Sequence, residues 1–103
     1  MPPRKRRSVR LLGLAGQDLA EIYEYIAVDN TTAAERLLTR IEKELNALGK
    51  QPLLGRIPRD PDIARLGYRC LVMGSYLAFY RLEPSVVLVY RIIHGTRDYA
   101  DIL

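Results

Sequence analysis

Cysteine is almost absent from this 103-residue chain, and the one present, Cys70, has no second thiol to pair with. An internal disulfide is therefore excluded, as is a metal site built from several thiolates. Cys70 reads as a small core residue. Histidine is equally scarce, since His94 stands alone, and a catalytic or metal site that relies on several histidines is excluded with it. No apolar run approaches the roughly 18 residues of a membrane span, and the start of the chain lacks the apolar core of a secretory signal. No internal repeat is present. These absences lead us to expect a soluble, cytoplasmic protein that spans no membrane and needs neither metal nor cofactor.

Charge is uneven along the chain. Arg4, Lys5, Arg6, Arg7 and Arg10 fall in the first ten positions, where no acid occurs, while residues 11–103 hold eleven basic and twelve acidic side chains. A basic, flexible arm over residues 1–8 is expected, serving either to bind phosphates or to solubilise the chain. Residues 9–103 then form a single domain, a size that suits one hydrophobic core.

The apolar pattern gives the order of elements. Val9, Leu11 and Leu12 suggest a first strand before Gly13. Over residues 15–28, Leu19, Ile22, Tyr23 and Ile26 recur at helical spacing, and Asp18, Glu21 and Glu24 are expected on an acidic outer side. Thr32 and Glu35 have capping-box spacing at the start of a second helix. Its apolar stripe, Ala34, Leu37, Leu38, Ile41, Leu45 and Leu48, runs to Gly49, a residue suited to a left-handed cap, with Pro52 beyond. The short link between the helices favours an antiparallel hairpin.

Residues 50–67, with Pro52, Gly55, Pro58 and Pro61, read as a long surface loop. Three apolar segments follow, at 68–72, 76–82 and 86–93, joined by connections short enough to imply an antiparallel meander. The expected fold is α+β, in the order β-α-α-β-β-β. The helical hairpin packs on one face of the sheet, and the N-terminal strand joins an edge. Simple alternation places Arg91 on the face of Val87, Val89 and Ile93, an awkward neighbourhood for a charge. Arg91 therefore either lies near the sheet edge with its head in water or pairs with an acid.

The final strand opens directly into His94, Gly95, Thr96, Arg97 and Asp98. Strand ends hold side chains rigidly beside loops, and binding and catalytic groups are often placed there. His94 fits either an acid–base role or a hydrogen bond to backbone. Arg97 and Asp98 fit either ligand binding or a locked turn, and Gly95 is expected to adopt a backbone conformation closed to other residues. Tyr76, Tyr80 and Tyr90 read as core or partner-contact residues.

Five segments occur in a telling order: DLAEIYEYIA, AAERLL, PLLGR, YLAFYRL and VVLVYRIIHGTRDY. In that order and spacing the chain resembles the RelE/ParE superfamily of bacterial type II toxin–antitoxin toxins from Val9 onward. It is most similar to the ParE, or plasmid-stabilisation, branch, whose final strand commonly closes in His-Gly-x-Arg-Asp. The resemblance implies a toxin held inactive in a hetero-oligomer with a cognate antitoxin. ParE-like members inhibit DNA gyrase, whereas RelE-like members cut messenger RNA on the ribosome.

Metal-free RNA cleavage needs an acid, a base and cationic donors for the phosphorane. His94 with Arg97 and Arg81, or with Arg69 or Arg91, offers these in outline. Two features point the other way. The body lacks the basic excess that favours approach to a ribosome, and Leu103 stands where the resemblance to RelE-like enzymes leads one to expect a tyrosine. The favoured reading is thus a non-enzymatic gyrase inhibitor, with the ribosome-dependent endoribonuclease as the alternative. Residues expected to contact target or antitoxin are Leu14, Tyr23, Tyr25, Arg69, Arg91, His94, Arg97, Asp98 and Tyr99.

Overall fold

Helix α1, Gly13–Ala27, turns Ala15, Asp18 and Leu19 inward at the three- and four-residue spacing of one helical face, with Ile22 packed against the same core. In this computed structural model, which describes residues 6–96, the helix follows strand β1, Ser8–Leu11. Three residues, 28–30, then turn the chain into α2, Thr31–Ala47. The cap of α2 is Asn30, whose Oδ1 accepts the Ala33 N–H at 3.0 Å, so the cap lies two residues before the expected Thr32 and no Thr32–Glu35 box forms. Asparagine already provides a cap acceptor of equal or greater preference, and it comes first in the chain.

Gly49 follows α2 but is not a left-handed cap. Among the described residues only Gly67 and Gly74 have positive φ, at 88° and 63°. Gly49 is required for close approach instead: a Cβ there would lie 2.6 Å from the Arg7 carbonyl oxygen, where the chain entering β1 passes. Gly95 likewise does not have a positive φ, and its N–H donates to the Ser75 carbonyl at 2.7 Å.

The expected loop contains a short helix, α3, Pro61–Arg65. Asp60 caps it by accepting the Asp62 and Ile63 N–H groups, and Pro61 occupies the first turn, where its missing N–H costs nothing. The helix presses Ile63 onto Cys70, Phe79 and Ile93.

Strands β2 (Arg69–Met73), β3 (Tyr76–Leu82) and β4 (Val86–His94) form the antiparallel meander. The sheet order is β1-β4-β3-β2, with β1 at one edge and parallel to β4, which makes the sheet mixed. One face carries Leu71, Met73, Ala78, Tyr80, Val87, Val89 and Ile92 against α1 and α2, and the other carries the small cluster around Ile63. Burial pushes the Cys70 thiol pKa up, as expected for a core thiol.

A β-bulge interrupts β4. Tyr80 pairs with Val89 but Phe79 pairs with Arg91, so Tyr90 is an extra residue. The bulge shifts the alternation, which sends Ile92 to the helix face with Val87 and Val89 and Ile93 to the opposite face. Arg91 therefore does not share a face with both valines and Ile93, as uninterrupted alternation predicts. Beside the bulge, Asp18 is buried rather than outward, with Oδ2 accepting Arg91 Nε at 2.7 Å and Oδ1 accepting Arg91 Nη2 at 2.9 Å. Its Oδ2 also accepts the Ile92 N–H at 3.0 Å. Strand β1 ends at Leu11 opposite Val89, and Asp18 takes over where that ladder stops. The Arg91 pKa is raised, chiefly by the Asp18 hydrogen bond, against the opposing effect of burial.

Two substitutions test this architecture. Tyr80 is fully buried, with its hydroxyl donating to the Pro52 carbonyl at 2.8 Å and accepting the Gly55 N–H at 2.9 Å. A Cβ on Gly55 would stand 2.6 Å from that hydroxyl, so Gly55→Ala should cost about 1–3 kcal/mol in urea unfolding through overpacking. Asp18→Ala strands the Arg91 charge and the Ile92 N–H, and the same measurement should show a loss of about 3–5 kcal/mol. Wild-type stability in either variant contradicts the role assigned to that residue.

Candidate functional site

Because α1 lies across the end of β4, the His94 side of the sheet and the outer half of α1 enclose an open cleft of about 360 Å³. Asp18, Glu21, Ile22 and Tyr25 line it from α1, and Tyr76, Ile92, Ile93 and His94 from the strands. Its floor is largely apolar and its acid is concentrated on the helix side.

His94 pairs with Tyr76 across the β3–β4 ladder, and their rings meet edge to face with centroids 5.4 Å apart. The Thr96 N–H donates to His94 Nδ1 at 3.2 Å, and Thr96 Oγ1 lies 2.7 Å from the same nitrogen. A backbone N–H only donates, so Nδ1 is the acceptor and the neutral ring carries its proton on Nε2. His94 is thus an exposed N–H donor beside an aromatic ring.

The other expected residues are distributed over the molecule. Tyr25 is 83% exposed and Leu14 57%, whereas Tyr23 is half-buried. Arg91 is committed to Asp18. Arg69 Nη2 donates to the Gly55 carbonyl at 2.6 Å and the Leu53 carbonyl at 3.3 Å, fixing the loop before α3. Arg81 alternates with Leu77 and Phe79 onto the face away from α1 and α2. There its guanidinium lies 5.7 Å from the Tyr68 ring centre and 6.0 Å from that of Tyr90. Burial, with Tyr90 adding to it, raises the Tyr68 pKa against the opposing charge of Arg81. Arg97, Asp98 and Tyr99 lie outside the described residues.

The cleft therefore unites His94 and Tyr25 with Tyr76, read from the sequence as a core or partner-contact residue, and with Asp18, Glu21 and Ile92, which were not expected at a site. One signal was available for Asp18. It shares the helical register of Ala15, Leu19 and Ile22, so its position on the buried face could be read from the spacing alone. Tyr76 could be placed only through its pairing with His94.

No helix among the described residues is long and apolar enough to cross a membrane. Residues 9–99 match the family described as the ParE toxin of the type II toxin–antitoxin system parDE. No curated protein sequence matches significantly. Among solved structures, the chain is similar to one from the chromosomal ParDE toxin–antitoxin system of P. aeruginosa, with a TM-score of 0.72 at 21% identity, over 88% of this chain and 98% of that one. It is also similar to a chain of the RelBE2 toxin–antitoxin complex from Mycobacterium tuberculosis, with a TM-score of 0.65 at 22% identity, over 86% and 98%. These likenesses establish the RelE/ParE-like fold, and with the match over residues 9–99 they show that the chain belongs to the ParE toxin family of type II toxin–antitoxin systems.

Proposed function

We propose that this toxin inhibits DNA gyrase by protein–protein contact, acts in the cytoplasm without a cofactor or metal, and is neutralised by a cognate antitoxin that covers the cleft beside α1. The observation that carries this reading is the dispersal of the arginines. Metal-free cleavage of RNA needs cationic donors converging on one phosphate. Arg91 is paired with Asp18, Arg69 holds loop carbonyls, and Arg81 is stacked on tyrosines on the face away from the helices. No cation lines the cleft of His94 among the described residues. His94 Nδ1 accepts the Thr96 N–H at 3.2 Å, so that nitrogen is already engaged by the turn that follows β4. The alternative, a ribosome-dependent endoribonuclease using His94, Arg97 and Arg81, is further disfavoured because Arg81 and His94 point to opposite faces of the sheet.

A segment that fits the cleft presents apolar side chains to Ile22, Tyr76 and Ile92, and a basic group to the exposed Glu21 at its rim. Tyr25 suits the role of anchor, since a large exposed aromatic ring gives contact area at low entropic cost. Leu14 extends the same helix as an exposed apolar residue.

Purified toxin should block gyrase supercoiling while leaving ribosome-bound message intact; cleavage of message with gyrase unaffected would overturn the proposal. In isothermal calorimetry against the small protein encoded in the adjacent reading frame, Tyr25→Ala should weaken binding by about 2 kcal/mol, roughly 30-fold. Unchanged affinity would remove Tyr25 from the interface.

A further inference from the structure

The basic arm that opens the sequence is rooted in the fold. The Arg7 N–H donates to the Gly49 carbonyl at 3.0 Å, Arg7 Nε donates to the Glu83 carbonyl at 3.1 Å, and Arg6 Nη2 reaches the Asn46 carbonyl at 3.5 Å. These bonds tie the start of β1 to the end of α2 and to the turn between β3 and β4. A cleft of about 600 Å³ opens at this junction, lined by Arg6, Arg7 and Lys50 together with prolines and leucines. It shares no lining residue with the cleft of His94.

Its chemistry is one-sided. Three cationic side chains line it, and among the described residues no acidic or aromatic one does. None of the three has a carboxylate partner among the described residues. Among the described residues the Arg7 side chain uses only Nε, so both of its Nη groups remain open to an acceptor. Cations held together without counter-charges repel one another, and this cluster stands out from a body that is otherwise close to neutral.

We propose that this cleft grips the phosphodiester backbone of a nucleic-acid duplex, giving the toxin a sequence-independent contact with nucleic acid. Guanidinium groups fixed at the root of a strand match phosphate oxygens with planar pairs of donors, and Lys50 adds a point charge. The ligand is a duplex because proteins that hold single strands stack the bases on aromatic rings, and none lines this cleft among the described residues. Binding ignores sequence because the remaining walls, Pro52, Leu53, Leu82 and Pro84, carry no side-chain donor or acceptor to read base edges.

The test titrates the full-length chain into a fluorescent duplex of about 20 base pairs and follows anisotropy between about 50 and about 200 mM salt. Three phosphate contacts give a slope of log affinity against log salt of about −2.7 or steeper, a loss of roughly 40-fold across that range. Lys50→Gln and Arg6→Gln, both at exposed positions, should each reduce the slope by about 0.9, leaving roughly a 12-fold loss where three contacts set the wild-type value. Lys43→Gln, also exposed and on α2, should bind as wild type does. A DNA or an RNA duplex bound with that slope sustains the proposal. Salt-independent binding, equal losses in Lys43→Gln and Lys50→Gln, or tighter binding of oligo-dT than of duplex overturns it. So does a Lys50→Gln defect seen with phosphatidylserine vesicles but not with duplex.

Discussion

Asp18 accepts three N–H donors from two consecutive residues of β4, and the relation of helix to sheet depends on that one carboxylate. The bond to the Ile92 N–H supplies an acceptor at a point where β1 has ended, and the fork to Arg91 neutralises the charge that the arrangement buries. A carboxylate in such surroundings needs every oxygen satisfied, because its desolvation is repaid only through good geometry. Here both oxygens are bonded. Helix α1 is thereby registered against β4 at the level of the bulge, and the end of β4 is left projecting beside the helix. The cleft containing His94 is the space that this registration creates.

The same registration decides what the surrounding cations are free to do. A chain with sixteen lysines and arginines has many possible phosphate ligands when viewed as a sequence. Folding commits them to separate tasks: Arg91 anchors a helix, Arg69 ties down a loop, and Arg81 packs on two tyrosine rings. Arg6 and Arg7 are gathered with Lys50, distant from them in sequence, at another place altogether. A ParE-family fold thus presents two unlike surfaces, an apolar and acidic cleft beside α1 and a cationic cleft at the root of the N-terminal arm. Their opposite polarity argues for different partners.

Much of the fold could be read from the chain because its elements are built from local signals. The stripe from Ala34 to Leu48, the apolar strands, and the short turns at Gly74–Ser75 and 83–85 gave the order of elements and the meander. The errors came where two local signals competed or where a signal was not local. Asn30 preceded Thr32 and took the cap. Asp60 and Pro61 carried a helix-start signature inside a stretch read as loop. Gly49 was small because another strand passes it, not because of its backbone angle.

The site was less legible, and the reason is physical. Amino-acid sequence alone determined the α+β order of elements, the core role of Cys70 and the concentration of positive charge at the start of the chain, since each rests on composition or on short-range periodicity, while the family was legible as a resemblance carried by the order and spacing of five segments. Tertiary structure decided the faces of residues 91–94 in β4, because one extra residue in that strand shifts the two-residue period that side-chain alternation obeys. It also decided that Asp18 meets Arg91 and Ile92, that His94 stands against Tyr76, and that Arg6 and Arg7 meet Lys50. Those relations join residues separated by 18 to more than 70 positions, and only the packing of helices on a bulged sheet brings them together.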